Sequence, residues 1–258
     1  MKIIADTNVW YHLSEGRYKH LVSSDAPLCL TAWTILELIT SPKLLMKHER
    51  KKVIDASKAI INLNPFIIEE DPYSFIASNI LGISNKSVYN FNITDLEKLV
   101  AGEISEEELK TYIQFRHERV NQFRNSVRIQ QSRKLNSMQS NSLIEMNQLI
   151  EAVGQQTVKE VEKILGILET DINIEHLRIN GNQINFFLWV RAIYNFKLDN
   201  EPGYKVEKND QGDILNMIYV GQDDKYWTSD CKWLKNVIDS GLSKFIYSPI
   251  TNLITREK

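Results

Sequence analysis

The first run of the chain, Lys2 to Ala5, ends directly on the polar triplet Asp6-Thr7-Asn8. Residues this apolar in so short a run read as a buried strand. A strand that stops on an acidic residue and turns into a helix is the entry to an α/β layer. The pattern then recurs. Pro27-Leu28-Cys29-Leu30 ends at Thr31, and Trp33 to Ile39 follows as a helix whose single charge is Glu37. Ser41-Pro42 stops that helix and opens another, with Ser41 as N-cap and Pro42 in the first helical position. This next helix is expected to run to about Leu63, with Leu45, Ile54 and Ile61 on its apolar face.

From Pro65 to about Gly181 glycine is scarce, charges are dense and the helical period dominates. Ile113, Val120, Phe123 and Val127 form one apolar stripe, and Leu143, Ile150, Val153, Val158, Val161 and Leu165 form another, interrupted near Gly154. The expected organisation is a core of residues 1–65 and 182–258, with residues 66–181 as a helical insertion, an antiparallel pair. Within the last part, Phe186 to Phe196 reads as a buried helix. Asp213 precedes the apolar Ile214 to Val220, with Asp210 placed to cap that helix. Lys225 to Thr228 reads as a short strand ending on Ser229-Asp230, followed by a helix from Trp233 to Asp239. Phe245-Ile246-Tyr247 reads as a last strand.

Bulk properties agree with a water-exposed globular chain. Of 258 residues, 43 % are hydrophobic and 25 % charged, which supports a core without covalent staples. A net charge of −2 gives no overall basic field, although a local basic strip serves a nucleic-acid binder as well. Cys29 and Cys231 form neither a disulfide framework nor a CxxC pair, which fits a reducing, cytoplasmic setting. The opening residues lack an apolar stretch of signal-peptide length, and no run is long enough for a membrane span.

The chemistry rests on carboxylates. Asp6, Asp213 and Asp230 each sit where a strand ends or a helix begins. In parallel α/β sheets these junctions converge outside the carboxyl ends of the strands. Glu37 lies within an otherwise apolar helix, where an acid is costly without a cation or donor beside it. Acids converging without evident Lys or Arg partners repel one another unless a hard dication sits among them, and an all-oxygen donor set suits Mg²⁺ or Mn²⁺. The competing explanation is that each Asp merely caps its helix. The five histidines have no metal-ligand spacing, and no P-loop, GxGxxG or GxSxG segment is present. A haloacid-dehalogenase-like phosphatase would want a second Asp where this chain has Asn8.

In Ile3-Ile4-Ala5-Asp6-Thr7-Asn8-Val9, Thr31 to Leu38 with Glu37, Asp213 to Tyr219, and Trp227-Thr228-Ser229-Asp230, the chain resembles the PIN-domain family of metal-dependent nucleases. The resemblance covers roughly the first 65 residues and the last 75 or so. It implies a three-layer α/β fold, a parallel sheet flanked by helices. It also implies Asp6, Glu37, Asp213 and Asp230 as metal-binding catalytic acids, with Asn8 and Thr228 or Ser229 as supporting polar residues. Asp210 competes with Asp213 for the third position. The activity implied is a Mg²⁺- or Mn²⁺-dependent endonuclease with RNA as substrate. A toxin-type RNase with a protein inhibitor, or antitoxin, is one biological setting. The alternative is a catalytically silent scaffold that binds RNA or a protein partner. The oligomeric state stays open.

A basic strip accompanies these acids: Arg116, Arg119, Arg124, Arg128, Arg133 and Lys134, with Glu118 as its lone acid. On a helix edge it would neutralise phosphates without reading sequence, and Arg124 and Arg128 are the expected substrate contacts. Pairing of these arginines with Glu103, Glu106, Glu107 and Glu108 is the structural alternative.

Overall fold

The computed structural model describes residues 1–18, 26–80, 91–134, 143–166, 185–201, 203–207 and 209–247, the side chains of 80, 119, 122–134 and 143–147 excepted. Strands β1 (Ile3–Ala5), β2 (Leu28–Thr31), β3 (Phe66–Ile68) and β4 (Lys225–Trp227) form one sheet in the order β3-β2-β1-β4. All pairings are parallel, with Ile4 beside both Cys29 and Tyr226, and Leu30 beside Ile67. The protein is therefore α/β, with a four-stranded parallel sheet and helices on both faces.

The two faces follow from the two-residue period of a strand. Ile3, Ala5, Leu28, Leu30 and Trp227 point into one core. Helices α1 (Thr7–Ser14), α2 (Ala32–Ile39), α3 (Arg50–Leu63) and α5 (Ile93–Ala101) cover it, through Trp10, Ile35, Val53 and Leu96 among others. Ile4, Cys29 and Tyr226 point into the other core. That side is filled from α4 (Pro72–Phe75), α7 (Leu143–Leu165), α8 (Phe186–Asn200), α9 (Asp210–Asn216) and α10 (Cys231–Asp239). The long helix α6 (Glu106–Lys134) contributes Leu109 to the first core and rests against the turn after α2.

Several local expectations change. Strand β3 lies just past Pro65, inside the stretch that reads as helical. The residues after Ser41 do not make one helix. Pro42–Leu45 is a 3₁₀ turn, Ser41 gives no side-chain cap, and α3 starts only at Arg50. Four consecutive polar residues, Lys47 to Arg50, have no apolar face to hold a continuous helix on the core there. Asn209, not Asp210, holds the N-cap position of α9. The final strand reduces to a 3₁₀ turn at Ser243–Phe245 and a single parallel bridge between Ile246 and Tyr226. The stripe on α6 is described at Ile113 and Val120, of which Val120 is buried. Its members Phe123 and Val127 lie outside the described side chains, as does Leu143.

Both cores draw on residues 66–181. Leu96 and Leu99 complete one, and Val153, Val158 and Val161 complete the other. Among the described residues no helix is long and apolar enough to cross a membrane. All five tryptophans (Trp10, Trp33, Trp189, Trp227 and Trp233) lie outside residues 66–181. Truncating Leu96, which is fully buried, to Ala is expected to cost about 2–5 kcal/mol. The loss should register in tryptophan fluorescence during urea unfolding. An unchanged fluorescence midpoint would show that α5 unfolds independently of the sheet.

Candidate functional site

Parallel pairing brings the carboxyl ends of all four strands to one edge, and the residues that leave that edge are polar. Asp6 follows β1 and caps α1 through the Thr7 amide, 2.6 Å from its Oδ1. Asp230 follows β4 and caps α10, with its Oδ1 accepting from the amides of Lys232 and Trp233 at 2.8 and 3.2 Å. Thr228 ties these two together. Its hydroxyl donates to Asp6 Oδ2 at 2.9 Å and accepts from the Asp230 amide at 3.0 Å. Asn8 reaches the same Asp6 oxygen at 3.4 Å. No hydrogen bond joins Ser229 to these acids among the described residues.

Glu37 and Asp213 come from helices. Thr31 caps α2, and its hydroxyl donates to Asn216 Oδ1 at 2.7 Å, fastening the end of β2 to the last residue of α9. That link sets α2 and α9 side by side, with Glu37 and Asp213 buried between them and the strand ends. The Thr7 hydroxyl donates to Glu37 Oε2 at 2.5 Å, and the Trp233 indole N–H donates to Asp213 Oδ2 at 2.8 Å. Gly212 makes the approach feasible, because a β-carbon there would stand 2.3 Å from Glu37 Oε1. A side chain at that position would force the Glu37 carboxylate to shift.

Asp210 is committed elsewhere. Its carboxylate accepts from Lys232 Nζ at 2.7 and 2.9 Å, from the Tyr194 hydroxyl at 2.8 Å and from the Glu207 amide at 2.7 Å. Three donors, one of them cationic, leave it no free role. Asp213 is the acid on this helix that faces the others.

The electrostatics show how closely the group is drawn together. Burial, then the Glu37 carboxylate, pushes Asp6 up from 3.8 to about 7, against the hydrogen bonds from Thr228 and Thr7, with a smaller push from Asp230. Asp213 is raised well above the carboxylate range by burial, then by Asp6 and Glu37. Beneath them the Tyr226 phenol is also driven up, by burial and then by Asp6, Asp213 and Glu37. Three separate groups thus feel the same negative centre.

One cation does answer it. Arg116 on α6 donates to the Glu37 backbone oxygen at 3.1 Å and to Glu37 Oε1 at 3.3 Å, a partly buried pair. This corrects the reading of acids without a basic partner, and it assigns one member of the basic strip to the site itself rather than to the glutamates of its own helix. Lys110 pairs with Glu106 in the way the alternative anticipates. The side chains of Arg119, Arg124, Arg128, Arg133 and Lys134 lie outside the described residues, so the expected contacts of Arg124 and Arg128 do too.

Among the described residues a single arginine answers these acids, which leaves an excess of negative charge there. Oxygen-only donors at a negative, dry point suit a hard divalent cation by their chemistry, and Asp6, Glu37, Asp213 and Asp230 are the residues that would hold one. Among the described residues no three acidic, His or Cys side chains already stand as a closed ligand set. Each carboxylate is held instead by its own neighbour: Thr7 and Arg116 for Glu37, Trp233 for Asp213, Thr228 for Asp6.

Compared with known proteins, the chain matches no family model, no curated protein and no solved structure.

Two outcomes follow for the bare protein. Folded Asp6 binds its proton up to about pH 7, while the unfolded carboxyl releases it near 3.8. Its contribution to stability therefore falls as pH rises through that window. Relative to wild type, Asp6→Asn should gain on the order of a few kcal/mol between about pH 4 and about pH 8 in urea titrations. A constant difference across that range would contradict the raised Asp6 value. Gly212→Ala should cost about 1–3 kcal/mol through overpacking, and should displace Glu37 as seen in a crystal structure of the variant.

Proposed function

We propose that the chain is a metal-dependent phosphodiesterase, an endonuclease acting on RNA, built on a PIN-like fold. The observation that carries this reading is the gathering of Asp6, Glu37, Asp213 and Asp230 at the carboxyl edge of a parallel sheet, in the order the resemblance requires. Burial, with mutual repulsion added to it, raises Asp6 and Asp213 together. A structural cluster would relieve such repulsion with basic partners, as Asp210 does with Lys232. RNA as the substrate follows from the resemblance, as does a protein inhibitor that covers the acids in a toxin-type setting.

A bound Mg²⁺ or Mn²⁺ would polarise the scissile phosphate and lower the pKa of the attacking water. The residues of the chain do the rest. Asp6, raised to about 7, holds its proton toward neutrality, so its deprotonation and cation binding are linked, and affinity for the cation rises with pH. Thr228 fixes Asp6 and the backbone of Asp230 in one hydrogen-bonded unit, which keeps two of the acids in register. Trp233 orients Asp213 and excludes water behind it. Thr7 and Arg116 orient Glu37 from two sides, and Arg116 offers positive charge to a phosphate should Glu37 turn toward a cation.

The Arg116–Glu37 pair also favours a second reading, a silent scaffold in which arginine permanently fills the place of a cation. Calorimetric titration with manganese separates the two, since the scaffold binds none at millimolar concentration.

Purified protein should cut single-stranded RNA with Mg²⁺ or Mn²⁺ and not with chelator, with new ends mapped by sequencing. Asp213→Asn should abolish cleavage, and undiminished metal-dependent cutting by that variant would end the assignment. Thr228→Val, which removes the link between Asp6 and Asp230, should weaken metal affinity or activity about 10–100-fold.

A further inference from the structure

Lys232 reaches toward both acids that the last part of the chain brings to the sheet edge, by two different routes. Its backbone amide donates to Asp230 Oδ1 at 2.8 Å. Its ammonium crosses to α9 and donates to the two oxygens of Asp210 at 2.7 and 2.9 Å, less than one helical turn before Asp213.

The ammonium is enclosed on several sides. The ring centroids of Tyr194, Tyr204 and Trp233 lie 5.7, 5.1 and 5.8 Å from Nζ, within the distance at which a ring face attracts a cation. Glu207 adds a second, more exposed carboxylate at 3.4 Å. One of these rings bears directly on the acidic centre. The Trp233 indole N–H donates to Asp213 Oδ2 at 2.8 Å, and the Tyr194 ring backs the same indole at 5.6 Å between centroids. Two adjacent rungs therefore join α9 to α10: Asp210–Lys232 and Asp213–Trp233. The second holds an acid of the centre, and the first holds none.

Stability alone does not account for the first rung. The Asp210 side chain is 2 % exposed and that of Lys232 19 %. A buried ion pair of this kind adds little over well-packed apolar groups of the same volume. What it adds is register, because an ammonium and a carboxylate with directed hydrogen bonds meet in one arrangement.

We propose that Lys232 is a positioning residue. By fixing α9 against α10 it sets the Trp233–Asp213 hydrogen bond, and with it the placement of Asp213 relative to Asp230. The consequence for a cation held by these acids rests on the phosphodiesterase reading, whereas the consequence for the indole does not.

The test reads indole N–H hydrogen exchange by NMR in the full chain with isotope-labelled tryptophan. Trp233→Phe and Trp10→Phe assign two signals. Trp10, fully buried in the core on the opposite face of the sheet, is the internal reference for general loosening. Replacing Lys232 alone would strand Asp210 as a buried charge, so the variant is Lys232→Met combined with Asp210→Asn, a neutral pair. Exchange at Trp233 should quicken about 10-fold or more, a local opening, while Trp10 stays as in wild type. Calorimetric titration should show manganese affinity weakened about 10–100-fold. Unchanged exchange at Trp233, an equal rise at Trp10, manganese affinity equal to wild type, or a neutral pair that does not fold would overturn the proposal. A wild-type protein that binds no manganese at millimolar concentration ends the metal reading instead, and exchange at Trp233 then decides the positioning role alone.

Discussion

Repulsion between buried carboxylates is the constraint around which this protein is arranged. Burial, and then the neighbouring carboxylates, lift Asp6 and Asp213 well above ordinary carboxyl values. Bringing such groups together costs free energy that only the surrounding fold can supply. The sheet supplies it by geometry, since parallel strands deliver their carboxyl ends to one edge. The α2–α9 contact supplies it through the Thr31–Asn216 hydrogen bond. Strain of this kind is a poor investment for stability alone, and active centres are where it is commonly found.

Much of the sheet was legible in the sequence, because short apolar runs that end on polar residues have few other uses. Ile3–Ala5, Leu28–Thr31 and Lys225–Trp227 all emerge as strands at the places their patterns indicate. The strand Phe66–Ile68 was not legible. It is three residues long, sits at the sheet edge, and leaves Phe66 53 % exposed, so its pattern carries little burial signal. The stretch around it is dominated by helical periodicity, which masks so brief an element. The expected insertion also proves to be woven into both cores, which a sequence reading misses because Val153 or Leu96 looks the same whether it packs on its own pair of helices or on a sheet.

The order of the acids could be read along the chain, and their partners could not. Trp233 reaches Asp213 across 20 residues, and Arg116 reaches Glu37 across 79. Nothing local marks Trp233 as more than an apolar residue opening a helix. Arg116 appears in the sequence only as one of six basic residues in a strip. Gly212 did carry a signal, as a glycine inside the first turn of a helix, where it is unfavourable without a reason such as a close neighbour. The choice between Asp210 and Asp213 likewise needed the Lys232 and Tyr194 contacts, which separate a neutralised acid from one that faces its fellows.

The sheet order has a consequence for the life history of the molecule. Strand β1 is central, and one of its two neighbours is β4, so the pair closes a loop in which Asp6 and Thr228 stand 222 residues apart. During synthesis the first strand and its acid must wait, half paired with β2, until β4 has left the ribosome. Glu37 is in place early, while Asp213 and Asp230 arrive last. Whatever the acidic centre does, a growing chain cannot do it before residue 230 has been made, and a chain broken off before residue 213 carries only half of the centre. Timing is thus written into topology: the acids meet only after the last of them, 224 residues beyond the first, has been added.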